Sequence, residues 1–229
     1  MRKVRKEEIQ RKVLHLVFGA LIPAGILYIP MYAGKMVWLP PALPGWIYPP
    51  AILLATFLVW IILETARMKS QTVNDFFHKC LGSMLREEES DAMTGATYII
   101  LSSLICSIIF KDHALIAAMV LSTFIWGDAV AALVGQSMGR IKIGKKSLEG
   151  SLACFVLCLL SFFLIFPVTP HLLTEWKGAI PPVLAIIASL CVTVLELFPI
   201  QIRNFVINDN LIVPIVTGLV MLWLYPVLR

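Results

Sequence analysis

The sequence predicts an all-α, polytopic integral membrane protein, and three observations carry that prediction. The 229 residues are 59% hydrophobic and only 14% charged, far more apolar than a soluble domain. The apolar residues gather in runs long enough to cross a bilayer. Lysine and arginine collect between alternate runs, as topology in a membrane requires. Lipid offers no partner to open backbone groups, so short spans of this kind are helices.

About seven transmembrane helices are expected, near residues 13–32, 50–66, 94–110, 114–135, 151–167, 180–198 and 211–227. The first follows a basic stretch, residues 1–12, and has no small-residue cleavage site, so it reads as a retained span and not a signal peptide. One side of the membrane receives Arg2, Lys3, Arg5, Lys6, Arg11 and Lys12, then Arg67, Lys69, Lys79 and Arg86, then Arg140, Lys142, Lys145 and Lys146, then Arg203. The other receives Lys35, Lys111, Lys177 and Arg229. The expected orientation places the N-terminus in the cytoplasm and the C-terminus outside. The net charge of +5 comes from these flanking clusters, which anionic headgroups explain, so nucleic acid is not an expected partner.

Between the spans, the outer segment WLPPALPGWIYPP (residues 38–50) reads as a stiff interfacial cap. In the loop of residues 68–93, Val73, Phe76, Phe77, Cys80, Leu81, Met84 and Leu85 form one apolar stripe at helical spacing, with Lys79 and Arg86 off it. This is an amphipathic cytoplasmic helix that either lies in the membrane interface or packs on the bundle. The run Glu87, Glu88, Glu89 and Asp91 reads as a solvated turn. Of five cysteines, Cys106, Cys154, Cys158 and Cys191 fall inside spans and Cys80 does not; none has metal-ligand spacing with histidine, and no disulfide is expected. The whole chain, 1–229, reads as a single transmembrane catalytic domain without internal repeats.

Threaded through a bilayer, Glu64, Asp128, Glu196 and Asp209 come out near the same, cytoplasmic, face. Asp128 lies in the inner half of the fourth span, where an acid costs about 2.5–3.5 kcal/mol on insertion scales and therefore asks for a function or a buried partner. Ala131, Ala132, Gly135 and Gly139 follow it and allow close helix packing. The loop Arg140-Ile-Lys-Ile-Gly-Lys-Lys-Ser147 lies on the same face. From Gly139 it imitates a P-loop, but Lys146 stands where Ser or Thr belongs and no βαβ unit fits, so that fold is rejected. Its physics remains: Gly139, Gly144 and Gly150 let backbone approach an anion, and Lys142, Lys145 and Lys146 supply charge. Ser147 caps the next helix, whose N-terminus faces the cytoplasm.

Glu196 ends a long apolar run, whereas Asp209, followed by Asn210, reads either as a helix cap or as a ligand. Glu64 and Arg67, three apart, read as an ion pair or as part of the site. Arg11, Lys12 and His15 add cations and donors. Mg²⁺, or another divalent cation, takes one or two carboxylates together with phosphate oxygens. Acids beside lysines at a membrane surface thus point to phosphate chemistry, at the depth where a lipid alcohol presents its hydroxyl.

The run GDAVAALVGQSMGRIKIGKKSLEGSLA, residues 127–153, resembles the signature of the CTP-dependent lipid kinases: phytol, farnesol and dolichol kinases and the CTP-dependent diacylglycerol kinase, with phosphatidate cytidylyltransferases as distant relatives. Arg11-Lys12 with His15 and Gly19, Glu64 with Arg67, Thr94-Gly95, Glu196-Leu-Phe-Pro, and Asp209-Asn210 with Pro214 match in order. The resemblance implies a membrane enzyme that uses CTP and a divalent cation to phosphorylate a lipid alcohol of the polyprenol, phytol, farnesol or dolichol type. It makes Asp128 the leading metal or catalytic acid and Glu196 its catalytic companion. Asp209 would be a second metal ligand, and Gly139, Lys142, Lys145, Lys146, Ser147, Glu149 and Gly150 would face the nucleotide. Gln136 departs from it, standing where a basic residue is expected. A diacylglycerol kinase or cytidylyltransferase is the alternative enzyme, and a small membrane transporter the alternative outside catalysis.

Overall fold

The computed structural model describes residues 6–36, 43–81, 92–176, 178–202 and 205–228. Among them, eight α-helices follow in order: α1 (Lys6–Tyr32), α2 (Tyr48–Lys69), α3 (Gln71–Leu81), α4 (Gly95–Ile109), α5 (Ala114–Ser137), α6 (Leu148–Leu160), α7 (Pro182–Leu197) and α8 (Asp209–Leu228). Five apolar helical stretches are long enough to cross a membrane, residues 9–35, 45–69, 114–137, 148–168 and 209–227. The expected spans 94–110 and 180–198 appear as shorter helices of 15 and 16 residues. At about 1.5 Å per residue these are roughly 22–24 Å long, less than a hydrocarbon core. Before α7 the chain arrives through an irregular stretch in which Leu172, Leu173, Trp176 and Ile180 are buried, so protein, not lipid, surrounds that open backbone.

Helix α5 is the axis of the bundle. Of its apolar window 78% is buried, against at most 33% for the other long helices. Ile116, Ala117, Met119, Val120, Leu121 and Ile125 are fully enclosed. Around it pack α1, α6, α7, α8 and α4, while α2 joins through α4. The outer faces carry exposed Leu58, Val59 and Ile62 on α2 and Leu152 and Val156 on α6, side chains that suit hydrocarbon. Pro23 and Pro30 sit inside α1 and Pro214 inside α8, as membrane helices tolerate. The small residues foreseen on α5 do bring helices together. A Cβ on Gly150 of α6 would stand 2.5 Å from the Ala131 carbonyl oxygen of α5, a backbone contact that cannot rotate away.

Two antiparallel ladders, absent from the sequence reading, interrupt the helices. Strand β1 (Lys142–Ile143) pairs with β2 (Lys146–Ser147), and β3 (Gln201–Ile202) with β4 (Phe205–Val206). The first is a hairpin with Gly144 and Lys145 as its turn. Gly144 has φ +58°, the sign that a type II′ turn needs at its first central position and that glycine supplies without a steric cost.

The foreseen amphipathic helix is present as α3, and one of its aromatic residues packs on the bundle. The Phe77 ring packs 6.4 Å from the Trp60 ring and lies 5.3 Å beneath the Arg67 guanidinium, whereas Phe76 is 68% exposed. The stripe's Met84 and Leu85 lie outside the described residues, as do Arg86, the acidic run 87–91 and most of the outer cap; of Cys80 and Leu81 only the backbone is described.

Glu64 and Arg67 form a fully buried ion pair at 2.8 Å. Its surroundings satisfy it. Glu64 Oε1 accepts the Thr94 hydroxyl at 2.5 Å, the Thr94 amide at 3.2 Å and the Thr97 hydroxyl at 3.3 Å, so a carboxylate from α2 closes the N-terminus of α4. Arg67 donates onward to the Ala92 carbonyl oxygen at 2.8 Å. Arg67→Met leaves Glu64 buried and uncompensated and is expected to destabilise the chain by about 3–5 kcal/mol, read as a lowered unfolding midpoint in detergent. Gly150→Ala is expected to cost about 1–3 kcal/mol in the same measurement, because α5 and α6 must move apart.

Candidate active site

Alternating helix directions bring the start of α1, the end of α2, the start of α4, the inner half of α5, the first hairpin, the end of α7 and the start of α8 to one end of the bundle. All the site residues singled out in the sequence fall there.

Asp128 projects from α5 to α1. Its Oδ2 receives Lys12 Nζ at 2.5 Å and lies 3.5 Å from His15 Nε2. Lys12 is 3% exposed, and it shares a helix face with His15 because the two are three residues apart. Arg11 is half-buried beside them. The sequence reading credited this segment with cations but did not pair Lys12 with Asp128. A lysine in the inner turns of a span needs a carboxylate of matching depth, but Glu64, Asp128 and Glu196 all lie near that face, so depth alone does not pick the partner.

The second centre is Lys146, on β2. Its Nζ stands 2.7 Å from Glu196 Oε1 and 2.9 Å from Asp209 Oδ2, and it also donates to the Glu196 main-chain carbonyl oxygen. That carbonyl belongs to the last turn of α7, so one ammonium caps a helix end and joins two carboxylates. Burial disfavours the ammonium charge, but Asp209 and Glu196 more than offset this and hold Lys146 above the usual lysine range. Asp209 is the first residue of α8, and the capping bond comes from Asn208 before it, whose Oδ1 accepts the Asn210 amide at 3.0 Å. Asp209 Oδ1 accepts the same amide at 3.0 Å, while its Oδ2 faces Lys146. The Asn210 carboxamide donates to the Gly95 carbonyl oxygen at 3.4 Å, which ties α8 to the α4 end held by Glu64.

The two centres are within electrostatic reach of one another. Asp128 feels the charge of Lys146, and Glu196 feels those of Asp128 and Asp209. Glu196 is 4% exposed, and its second carboxylate oxygen, Oε2, has no hydrogen-bond partner. Among the described residues, no three His, Cys, Asp or Glu side chains are yet close enough together to ligate a metal by themselves.

The residues expected at a nucleotide divide by position. Lys142 and Lys145 are exposed, Lys145 at the hairpin tip, with Lys142 Nζ 3.3 Å from the Gly135 carbonyl oxygen. Ser147 is buried, and its hydroxyl caps α6 by accepting the Gly150 amide at 3.2 Å. Gly139 and Gly150 lie against that hydroxyl in the α5–α6 contact. Glu149 accepts the backbone amides of Arg140 at 2.9 Å and Ile141 at 3.1 Å, closing the hairpin base. Ser147, Glu149 and Gly150 thus shape the loop, and the lysines carry its charge outward.

No family model and no solved structure matches the chain. Curated proteins do. A CTP-dependent diacylglycerol kinase of Schizosaccharomyces pombe is 26% identical over 93% of this chain and 92% of its own length. The CTP-dependent diacylglycerol kinase of Saccharomyces cerevisiae is 28% identical over 71% of this chain and 52% of its own. A probable chloroplastic phytol kinase of Glycine max is 28% identical over 59% of this chain and 45% of its own. The chain therefore spans about half the length of the latter two and nearly all of the first. The chain is thus similar, at modest identity, to CTP-dependent diacylglycerol kinases and to probable phytol kinases.

Proposed function

We propose that the chain phosphorylates a membrane lipid alcohol with CTP, at the cytoplasmic end of its helix bundle. The observation that carries this is the convergence of Glu196 and Asp209 on Lys146, with the Asp128–Lys12 pair within electrostatic reach, beside a hairpin that presents Lys142 and Lys145 outward. In the reaction the lipid hydroxyl oxygen attacks the γ-phosphorus in line. The bond to the β-phosphate oxygen breaks, CDP leaves, and the hydroxyl proton passes to a carboxylate. Asp128 or Glu196 is the acceptor of that proton, and Lys145 and Lys146 neutralise charge on the phosphates.

A divalent cation fits the site because Glu196 Oε2 is buried without a partner and Asp209 and Asp128 stand within electrostatic range of it. Glu196 and Asp209 would hold it, with Asp128 within electrostatic range, and it would supply positive charge against the phosphates.

Two acceptor classes have support from different observations. The phytol kinase relatives favour an isoprenoid alcohol. The nearly end-to-end match with the fission-yeast enzyme favours diacylglycerol. Both present a hydroxyl at the interface above a hydrocarbon tail. A shallow groove of about 450 Å³ between α5 and α6, running from Glu149 along Leu152, Val156 and Leu160, offers such a tail an apolar wall.

Purified chain given CTP and each lipid in turn is expected to release CDP and form the lipid monophosphate. Pyrophosphate release in place of CDP would mean a cytidylyltransferase, and lipid transfer without nucleotide turnover a transporter. Asp128→Asn is expected to lower turnover at least about 10²-fold in detergent-stable protein, and near-normal turnover would remove Asp128 from the site.

A further inference from the structure

The ammonium of Lys146 sits where a cation bridging Glu196 and Asp209 would sit, 2.7 Å and 2.9 Å from their oxygens. We infer that Lys146 is a built-in surrogate for the divalent cation: it occupies the acidic site in the free protein and yields it only when nucleotide phosphates draw the lysine away. The inference rests on the kinase reading above for the identity of that phosphate ligand.

Three features argue for it. First, Glu196 is nine-tenths buried, yet Oε2 has no partner while Oε1 is held by Lys146. The site thus has one more ligating atom than its present cation uses. A divalent ion, which takes several oxygens, would use it. Second, the lysine comes from an edge of the site that can change. It stands on a two-residue hairpin strand whose turn, Gly144-Lys145, is exposed, and a flexible four-carbon stem carries the ammonium. Third, the charges are close to balanced without any ligand, since Lys12 neutralises Asp128 while Lys146 is shared by Glu196 and Asp209. A bare metal ion would have to displace a bound ammonium. A metal arriving with a polyphosphate offers that ammonium a new partner.

Metal and nucleotide binding are therefore coupled through one side chain, and the coupling is reciprocal. The free protein binds metal weakly, which keeps the carboxylates from retaining an ion without its nucleotide.

The test is Mn²⁺ binding to the detergent-solubilised full chain, without nucleotide or lipid, followed by the electron paramagnetic resonance of free Mn²⁺. Lys146→Met is expected to bind Mn²⁺ at least about tenfold more tightly than the unaltered chain, because a competing positive charge in contact with the ligands is gone. Lys146→Met combined with Glu196→Gln is expected to lose that gain. Lys146→Gln replaces Lys146→Met if the latter does not elute as a monodisperse species. Mn²⁺ binding by the lysine-less variant that is no tighter than in the unaltered chain overturns the inference. The outcome is independent of turnover: failure to form CDP from CTP with any lipid alcohol would remove the kinase reading, while the titration would still decide whether Lys146 competes with metal.

Discussion

Lys146 joins three parts of the chain that share no secondary structure: the hairpin before α6, the last turn of α7 and the first turn of α8. Two carboxylates and one main-chain carbonyl, each from a helix end, converge on its ammonium. Helix ends carry unsatisfied backbone groups, and at a membrane surface next to hydrocarbon those groups have few alternatives. The positions of Glu196 and Asp209 thus follow from a packing requirement as much as from chemistry. Removing the lysine would free both acids and leave α7 and α8 ending without their shared partner.

The Glu64–Arg67 pair performs a similar service where α2 meets the start of α4, and it is fully closed. Every strong acceptor of Glu64 is taken by Arg67, Thr94 or Thr97, and the pair is inaccessible to solvent. An acid so completely satisfied has no capacity left for a ligand. Glu196, with Oε2 unpartnered, has that capacity. The difference resolves the alternative the sequence left at Glu64: it is the ion pair, and the unpartnered oxygen belongs to Glu196.

Much of this was legible in the residues. Hydropathy located the apolar segments because hydrocarbon imposes one rule on all of them, and the small residues Ala131, Ala132, Gly135 and Gly139 marked a close helix contact because close approach leaves no room for large side chains. Ser147 as a cap was legible from its place before an apolar run, and the structure has it accepting the Gly150 amide. The hairpin was not legible. Its strands are two residues long, below any periodicity, and only the positive φ of Gly144 distinguishes its turn from a loop. Neither was the pairing of Lys12 with Asp128. They are separated by 116 residues, and such a partnership is fixed by how α1 lies on α5. The lengths of α4 and α7 also escaped the sequence, since apolar residues continue past the helix ends into turns that the protein itself buries.

The balance of charge at this end of the bundle explains why the exposed lysines matter. Lys12, Arg67 and Lys146 are already committed to Asp128, Glu64, and the Glu196–Asp209 pair. A polyphosphate entering a site so nearly neutral would meet carboxylates without a compensating field unless positive charge came with it. Lys142 and Lys145, exposed on the hairpin, supply part of that charge from the solvent side, where holding it costs little desolvation. A divalent cation carried by the phosphates would supply the remainder at the buried Oε2 of Glu196. Outer lysines that attract the anion, and an inner lysine already paired with acids, are thus complementary: the first set can act at a distance, and the second can act only by exchanging partners.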